Sequence, residues 1–198
     1  MKKIIATAAA AALLVIGAAT PAQAADPRPA HGSAPTMNIV QTAVAASGGG
    51  TPDANPNDYD ILVQAVLATE LAEPLSGGTW TVFAPTDRAF LRLVRDLTGV
   101  APASEAEALT TITTAFTIDQ IREIVLYHAV EGRTISPLRL ILTRSLTMAD
   151  GGVVRPIGIV LRDESPTLRN PKLVLSGVNI KATNGVIHTI DRVLVPSL

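Results

Sequence analysis

The spacing of hydrophobic residues changes along the chain, from a helical period in the first part to a period of two after Ser136. Helical spacing begins at Tyr59 and begins again after Thr86 and Asp87, two residue types that favour helix starts. Gly99 follows the second run, where a left-handed residue would end a helix. Four apolar side chains of this second helix fall at i, i+3, i+4 and i+7, and we expect them to be buried: Phe90, Leu93, Val94 and Leu97.

Two further helices are predicted on either side of these. Met37–Ala46 is a short candidate that ends at a glycine-rich loop. Thr117 and Gln120 have the spacing of a capping box, and they predict a helix that ends at Gly132. Its inward side chains are expected to be Ile121, Ile124, Val125 and His128. Residues 101–116, rich in Ala and Thr, receive no assignment.

The last third of the chain predicts short strands separated by turns. Asn184-Gly185 lies between two alternating runs, which is a strong hairpin signal. With an earlier strand before Pro85, the predicted strands are Thr79–Ala84, Leu146–Met148, Val153–Val154, Ile157–Leu161, Leu173–Leu175, Val178–Ala182, Val186–Ile190 and Val193–Val195. The pattern therefore predicts an α+β domain with N-terminal helices packed on an antiparallel sheet.

The N-terminal region predicts export. Lys2 and Lys3 precede an uncharged apolar run, and an Ala-x-Ala pattern ends at Ala24, so residues 1–24 are predicted to be a signal peptide. Residues 25–35 contain three prolines and are predicted to be a flexible linker to a domain over residues 36–198. We therefore expect a secreted or periplasmic protein with no stable membrane span after the signal peptide is removed.

Composition excludes several kinds of chemistry. The chain has no cysteine, so disulfides and thiolate-ligated metals are excluded. A formal net charge of −1 gives no basic excess for binding nucleic acid. Because only 3% of the residues are aromatic, the core is expected to be aliphatic.

Three segments together are similar to the signature regions of the fasciclin family. They are Thr81–Phe90, Tyr127-His128 and Asn184–Pro196, in the order and spacing of that family. The resemblance covers about residues 36–198 and implies a fasciclin-like fold and an extracellular adhesion role. The expected partner is a surface or matrix protein or a polysaccharide of the envelope, matrix or host.

The same resemblance suggests binding residues. In some animal relatives, adhesion has been attributed to the Tyr-His pair and to an Asp-Ile pair before the last signature segment. Tyr127 and His128 match the first pair, although burial is a competing explanation for Tyr127. Asn179 and Ile180 stand where the second pair would lie, so the carboxylate is missing and a metal-dependent contact through it is not expected.

The remaining signature residues are expected to build the scaffold. In the first segment these are Phe83, Pro85, Thr86, Asp87 and Phe90, and in the last they are Asn184, Gly185, His188 and Asp191. Pro85 ends a strand and Thr86 or Asp87 caps the next helix. Period two places His188 on a buried face, where it needs a hydrogen-bond partner, and Asp191 is the expected one.

Two other functions remain open from the sequence. His128, His188 and Asp191 with a serine have the residue types of a hydrolase triad, but no Gly-x-Ser-x-Gly motif occurs, and we expect both histidines to be core residues. A carrier of hydrophobic ligands is the other alternative. No local ligand spacing indicates a metal site, and no cofactor is predicted. Residues 155–172 are predicted to be an exposed loop between strands.

Overall fold

Helices occupy about half of the first hundred described residues, and five of the seven strands in the described residues lie after them. The structure, a computed structural model, describes residues 34–197. The helices are α1 (Ile39–Ala46), α2 (Asp60–Ala68), α3 (Ala72–Ser76), α4 (Asp87–Thr98), α5 (Glu105–Ala115), α6 (Ile118–Leu126) and α7 (Pro137–Leu142). The strands are β1 (Trp80–Pro85), β2 (Ala129–Glu131), β3 (Leu146–Thr147), β4 (Val153–Ile157), β5 (Val160–Arg162), β6 (Ile180–Ala182) and β7 (Gly185–Ile190). The predicted α+β class is confirmed, while the predicted signal peptide and nearly all of the predicted linker lie outside the described residues.

The larger sheet is mixed rather than wholly antiparallel. Its strand order is β2-β1-β7-β6, and the central pair, β1 with β7, is parallel from Trp80 opposite Gly185 to Pro85 opposite Ile190. The outer strands pair antiparallel, and β6 and β7 form the predicted Asn184-Gly185 hairpin. Parallel pairing of β1 and β7 requires a long crossover, which the intervening helices and second sheet provide.

The smaller sheet has the order β3-β4-β5 and is antiparallel. The predicted single strand Ile157–Leu161 is wrong, because Gly158 has a φ of +62° and the chain turns there between β4 and β5. Leu173 makes one bridge to Ile190, and a short 3₁₀ turn at Leu175–Gly177 replaces the predicted strand. Val193–Val195 is not a strand either.

Three helices and one strand were not predicted. Helices α3, α5 and α7 are short or lack a regular apolar period, and α5 fills the unassigned region 101–116. The helix predicted to end at Gly132 ends at Leu126, although its capping box is present. The following residues form β2 and pair with β1. Strand pairing across the sheet thus overrides the local helical pattern.

The core lies between the helices and the larger sheet and continues into the smaller sheet. All six residues of β1 are buried, as are Phe90, Leu93 and Val94 of α4. Burying three such side chains contributes roughly 5–9 kcal/mol before the cost of chain ordering. Leu97, predicted to be buried with them, lies in the last turn of α4 and is 48% exposed.

Candidate functional site

The first signature segment joins two helix starts. Thr86 occupies the N-cap position of α4 with extended backbone, but its side chain makes no capping hydrogen bond within the described residues. The Asp87 carboxylate instead accepts hydrogen bonds from the backbone N–H groups of Asp60 at 3.0 Å and Ile61 at 2.8 Å. Asp87 therefore caps α2 rather than its own helix, which links the two elements across 26 residues of chain.

Hydrogen bonds from the turn residue Asn184 fix the last signature segment to neighbouring helices. The Asn184 side chain accepts from Ile39 N–H at 2.9 Å and donates to the Leu75 carbonyl at 2.9 Å. A Cβ atom on Gly185 would lie far inside van der Waals contact of the Trp80 carbonyl oxygen, so only glycine fits beside β1. These contacts hold α1, α3 and β1 against the hairpin.

His188 is fully buried and its hydrogen bonds go to backbone groups. Nε2 donates to the Ile135 carbonyl at 2.8 Å, and Nδ1 accepts from Asn179 N–H at 3.2 Å. Its ring stacks on Phe83 with 5.8 Å between ring centroids. Burial lowers the pKa of His188, so the ring is held neutral.

Asp191 is not the partner of His188. It accepts from Lys172 N–H at 2.7 Å and forms a partly exposed ion pair with Arg92 at 3.5 Å. The expectation was wrong because residues three apart along an extended chain point to opposite faces.

His128 is buried in a similar way. Its Nδ1 donates to the Ile124 carbonyl at 2.7 Å, and its Nε2 accepts from Leu194 N–H at 2.9 Å. Burial lowers its pKa to about 4. The hydrogen bonds that His128 and His188 make within residues 34–197 go to backbone atoms, so neither ring has the carboxylate and hydroxyl partners of a triad.

Tyr127 is buried beside His128. Its hydroxyl donates to the Val153 carbonyl at 3.0 Å and accepts from Glu164 N–H at 3.1 Å. Burial, with the nearby Glu164 charge, raises the pKa of Tyr127. The Tyr127-His128 pair thus joins the end of α6 to β4 and to the C-terminal segment. Because both side chains are interior, their role as binding residues stays a prediction.

Asn179 and Ile180 lie at the free edge of the larger sheet. Asn179 is exposed and has a φ of +62°, a left-handed conformation that asparagine tolerates better than most residues. Ile180 begins β6 and is half-buried. Beside them is a shallow pocket of about 290 Å³ whose lining includes Asn179, Lys181, Ser136 and Arg139.

Helix α7 presents an apolar face next to this pocket. Ser136 caps it and Leu140 is buried beneath it. Leu138 and Leu142 are 66% and 74% exposed, and Ile141 is exposed on the same side, since the three stand at i, i+3 and i+4. We call Leu138, Ile141 and Leu142, with the pocket residues Arg139, Asn179 and Lys181, the α7 surface. Apolar runs usually predict burial, so no signal in the sequence indicated this exposed face.

An apolar cleft opens among α2, α4, α5 and α6. Its volume is about 320 Å³, and its lining includes Ala65, Phe90, Ile112, Phe116 and Ile121. We call it the helical cleft. Its far wall is α5, the segment that the sequence left unassigned.

Acidic side chains converge where α2 and α4 begin. Asp58, Asp60 and Asp87 are buried, with one oxygen of each within 4.8 Å of the others. Asp53 and Glu105 form an adjoining group with Asp58. No local ligand spacing in the sequence marks this group, because folding brings the carboxylates together from three separate segments.

The mixed sheet packed against helices, and signature segments that connect elements inside the fold, define a FAS1-type scaffold. The Fasciclin domain family profile matches residues 57–196, and the chain belongs to this family. The family comprises adhesion-type and immunogenic proteins that are generally non-enzymatic and typically extracellular or exported. None of the helices in the described residues combines the length and apolar character needed to cross a membrane.

Relatives and a solved structure agree with this assignment. The chain is 34% identical over 159 residues to the uncharacterized protein sll1735 of Synechocystis sp., covering 79% of this chain and 96% of that one. It is 29% identical over 165 residues to the immunogenic protein MPB70 of Mycobacterium bovis, covering 83% and 75%. A FAS1 domain pair from the insect cell adhesion molecule Fasciclin I superposes with a TM-score of 0.56 at 14% identity, covering 83% of this chain and 51% of that one. This chain therefore spans about half of that domain pair, and the likeness shows the fold alone.

Proposed function

We propose that this domain is a non-catalytic binding module that acts outside the cytoplasm. It recognises a surface or matrix protein, or a polysaccharide, through the α7 surface. The observation that carries this proposal is the exposure of three large aliphatic side chains on one helix face beside a polar pocket. The predicted signal peptide supports the location.

The chemistry of the α7 surface suits recognition. Aliphatic side chains that leave water on binding supply affinity, at about 25 cal/mol per Å² of apolar area. Arg139 and Lys181 add directional donors and positive charge at the pocket, which favours partners with acidic groups. The buried Leu140 anchors the helix, so the face is presented in one orientation and loses little entropy when a partner binds.

The signature pair supports this surface indirectly. Tyr127 bonds to the carbonyl of Val153, the first residue of β4, and β4 packs against α7. A change at Tyr127 would therefore disturb α7 through β4. An adhesion defect caused by altering this pair does not require contact between the pair and the partner.

The test compares retention of partners by immobilised domains. Wild-type domain, Leu138→Ser/Leu142→Ser and the control Leu97→Ser/Val100→Ser are exposed to envelope, matrix and host-surface extracts, and retained proteins and glycans are identified. The control removes two exposed aliphatic side chains, Leu97 in the last turn of α4 and Val100 just after this helix, about 40 residues before α7. We expect one partner to be retained by wild type and control and lost with the α7 variant. Equal retention by all three, or no specific retention by any, contradicts the proposal.

A second candidate function, carriage of a hydrophobic ligand, is favoured by the helical cleft. Its volume of about 320 Å³ is at the lower end of the range for small-molecule sites, roughly 300–1,000 Å³. Its wall is apolar, and Gln64, Thr110 and Thr113 supply the few polar groups that would orient a ligand.

Ligand extraction tests this candidate. Domain purified without detergent is weighed by native mass spectrometry and then extracted with organic solvent for lipid analysis. Ala65→Trp would fill the cleft, whereas Ala106→Trp places the same side chain on the exposed side of α5. A carrier loses its bound mass in the first variant only. Absence of any bound mass in the wild-type protein removes the candidate.

A further inference from the structure

The buried carboxylates at the starts of α2 and α4 lack the partners that buried charges normally have. Asp60 is fully buried, and neither of its carboxylate oxygens accepts a hydrogen bond within the described residues. Oδ1 of Asp58 is also buried without a partner, while its Oδ2 accepts from the Asn55 amide at 2.9 Å. Buried polar atoms in native proteins are almost always satisfied, so these three oxygens call for an occupant.

The charge around these oxygens is also unbalanced. Asp58, Asp60 and Asp87 carry three formal negative charges, and Glu105 and Asp53 stand beside them. No arginine, lysine or histidine forms an ion pair with these five residues within residues 34–197. The first turns of α2 and α4 contribute about half a positive charge each, which offsets about one carboxylate. With all three central carboxyl groups ionised, a deficit of about two positive charges remains.

We propose that Asp58, Asp60 and Asp87 bind one calcium ion. Three carboxylates with oxygens within 4.8 Å of one another provide hard oxygen ligands, and a divalent cation matches the missing charge. Calcium accepts six to eight oxygens in irregular arrangements, whereas magnesium needs an octahedron and retains several waters, which a buried site disfavours. Zinc prefers nitrogen and sulfur ligands, and the group contains neither.

The site has a route for the ion. Asp53 is exposed and its group shares Asp58 with the buried group, so a cation can be captured at the surface and passed inward. Glu105 holds this loop by accepting from Asp53 N–H at 2.9 Å. An ion bound here would join the loop to the starts of α2 and α4, and it would stabilise the folded state because the three segments separate on unfolding.

Protons are the competing occupants. Burial, together with the neighbouring Asp58 carboxyl group, raises the pKa of Asp87 to about 8. Burial also raises the pKa values of Asp60 and Glu105, so a cation competes with protons for these carboxyl groups.

The experiment measures calcium binding to chelator-treated protein at pH 7.5 in 150 mM salt. Isothermal titration gives the stoichiometry and Kd, and thermal unfolding gives the stability change. We expect one ion per chain and a rise in Tm on the order of 5–10 °C when calcium is one hundred times Kd.

Variants separate this site from surface acids. Asp60→Asn keeps the shape of the side chain, and no hydrogen bond to its carboxylate is lost, so this variant should fold. It removes one carboxylate ligand and should therefore lose the calcium response. Asp119→Asn removes an exposed acid from the first turn of α6 and should respond like wild type. No response of the wild-type protein at millimolar calcium, or an unchanged response in Asp60→Asn, overturns the site. An equal Tm rise with magnesium overturns its assignment to calcium.

Discussion

Lowering the pH from 7 to 5 should destabilise the domain through His128. Burial lowers the pKa of this imidazole from 6.5 to about 4, and both ring nitrogens already bond to backbone groups in the neutral form. Because the pKa of the folded state is the lower one, the unfolded chain takes up the proton first as the pH falls. The contribution of His128 is therefore complete above about pH 6.5 and is lost as the pH falls towards 4.

The size of this effect follows from the two pKa values. One pKa unit corresponds to about 1.4 kcal/mol, so the pKa difference of about 2.5 corresponds to roughly 3 kcal/mol below pH 4. At pH 5 the unfolded state is almost fully protonated at this residue and the folded state is not, which gives a loss of about 2 kcal/mol. For a domain of this size that is a large part of the total stability.

Urea unfolding of wild type and His128→Gln at pH 7 and pH 5, followed by Trp80 fluorescence and circular dichroism, measures this loss. Other groups with shifted pKa values, such as His188, Asp87 and Asp163, are present in both proteins and largely cancel. At pH 7 the variant should be less stable by about 1–3 kcal/mol, because a buried backbone group loses its partner. From pH 7 to 5 the wild type should lose about 2 kcal/mol more than the variant. Equal losses would refute the assignment of a buried, neutral His128.

Three other changes test separate parts of the structure. Gly185→Ala forces a methyl group against the Trp80 carbonyl and should cost about 1–3 kcal/mol or more, whereas Gly77→Ala, which meets open space, should be nearly neutral in the same thermal melts. Tyr127→Phe removes the bonds to Val153 and Glu164 and should cost about 1–3 kcal/mol; an unchanged Tm would contradict its role as an internal joint. Burial raises the pKa of Asp163 to about 6, so the stability that the protonated carboxyl group contributes to the folded state is lost as the pH rises towards and through 6. In urea titrations, Asp163→Asn should therefore gain stability relative to wild type between pH 4 and pH 7.

The sequence predicted the elements whose signals are local. The capping box at Thr117 and the hairpin at Asn184-Gly185 depend on neighbouring residues, and both are present. Strand β2 was missed because its three residues become a strand only by pairing with β1. Helix α7 was missed because its apolar run resembles a buried strand segment as much as a helix.

The partners of the site residues could not be predicted for a different reason. His188 bonds to the carbonyl of Ile135 and His128 bonds to the N–H of Leu194, which are 53 and 66 residues away. Backbone groups are the same at every residue, so no residue type marks them as partners. A carboxylate near in sequence, such as Asp191, is a recognisable candidate partner for His188, whereas a backbone carbonyl is not. For this reason the sequence suggested the wrong hydrogen-bond partner.

The signature segments of this family member connect helices and strands inside the fold. The residues that identify the family are therefore not the residues that would contact a partner. Asp87 caps a second helix, Asn184 ties three elements together, and Tyr127 with His128 fixes the end of α6. Asp87, Tyr127 and His128 are buried in these roles, and buried side chains cannot also be the surface that a partner touches. A substitution in the signature pair therefore changes stability and binding together, whereas Leu138→Ser/Leu142→Ser should change binding alone. If binding is lost with unchanged unfolding free energy in the α7 variant, the recognition surface lies outside the segments that identify the family.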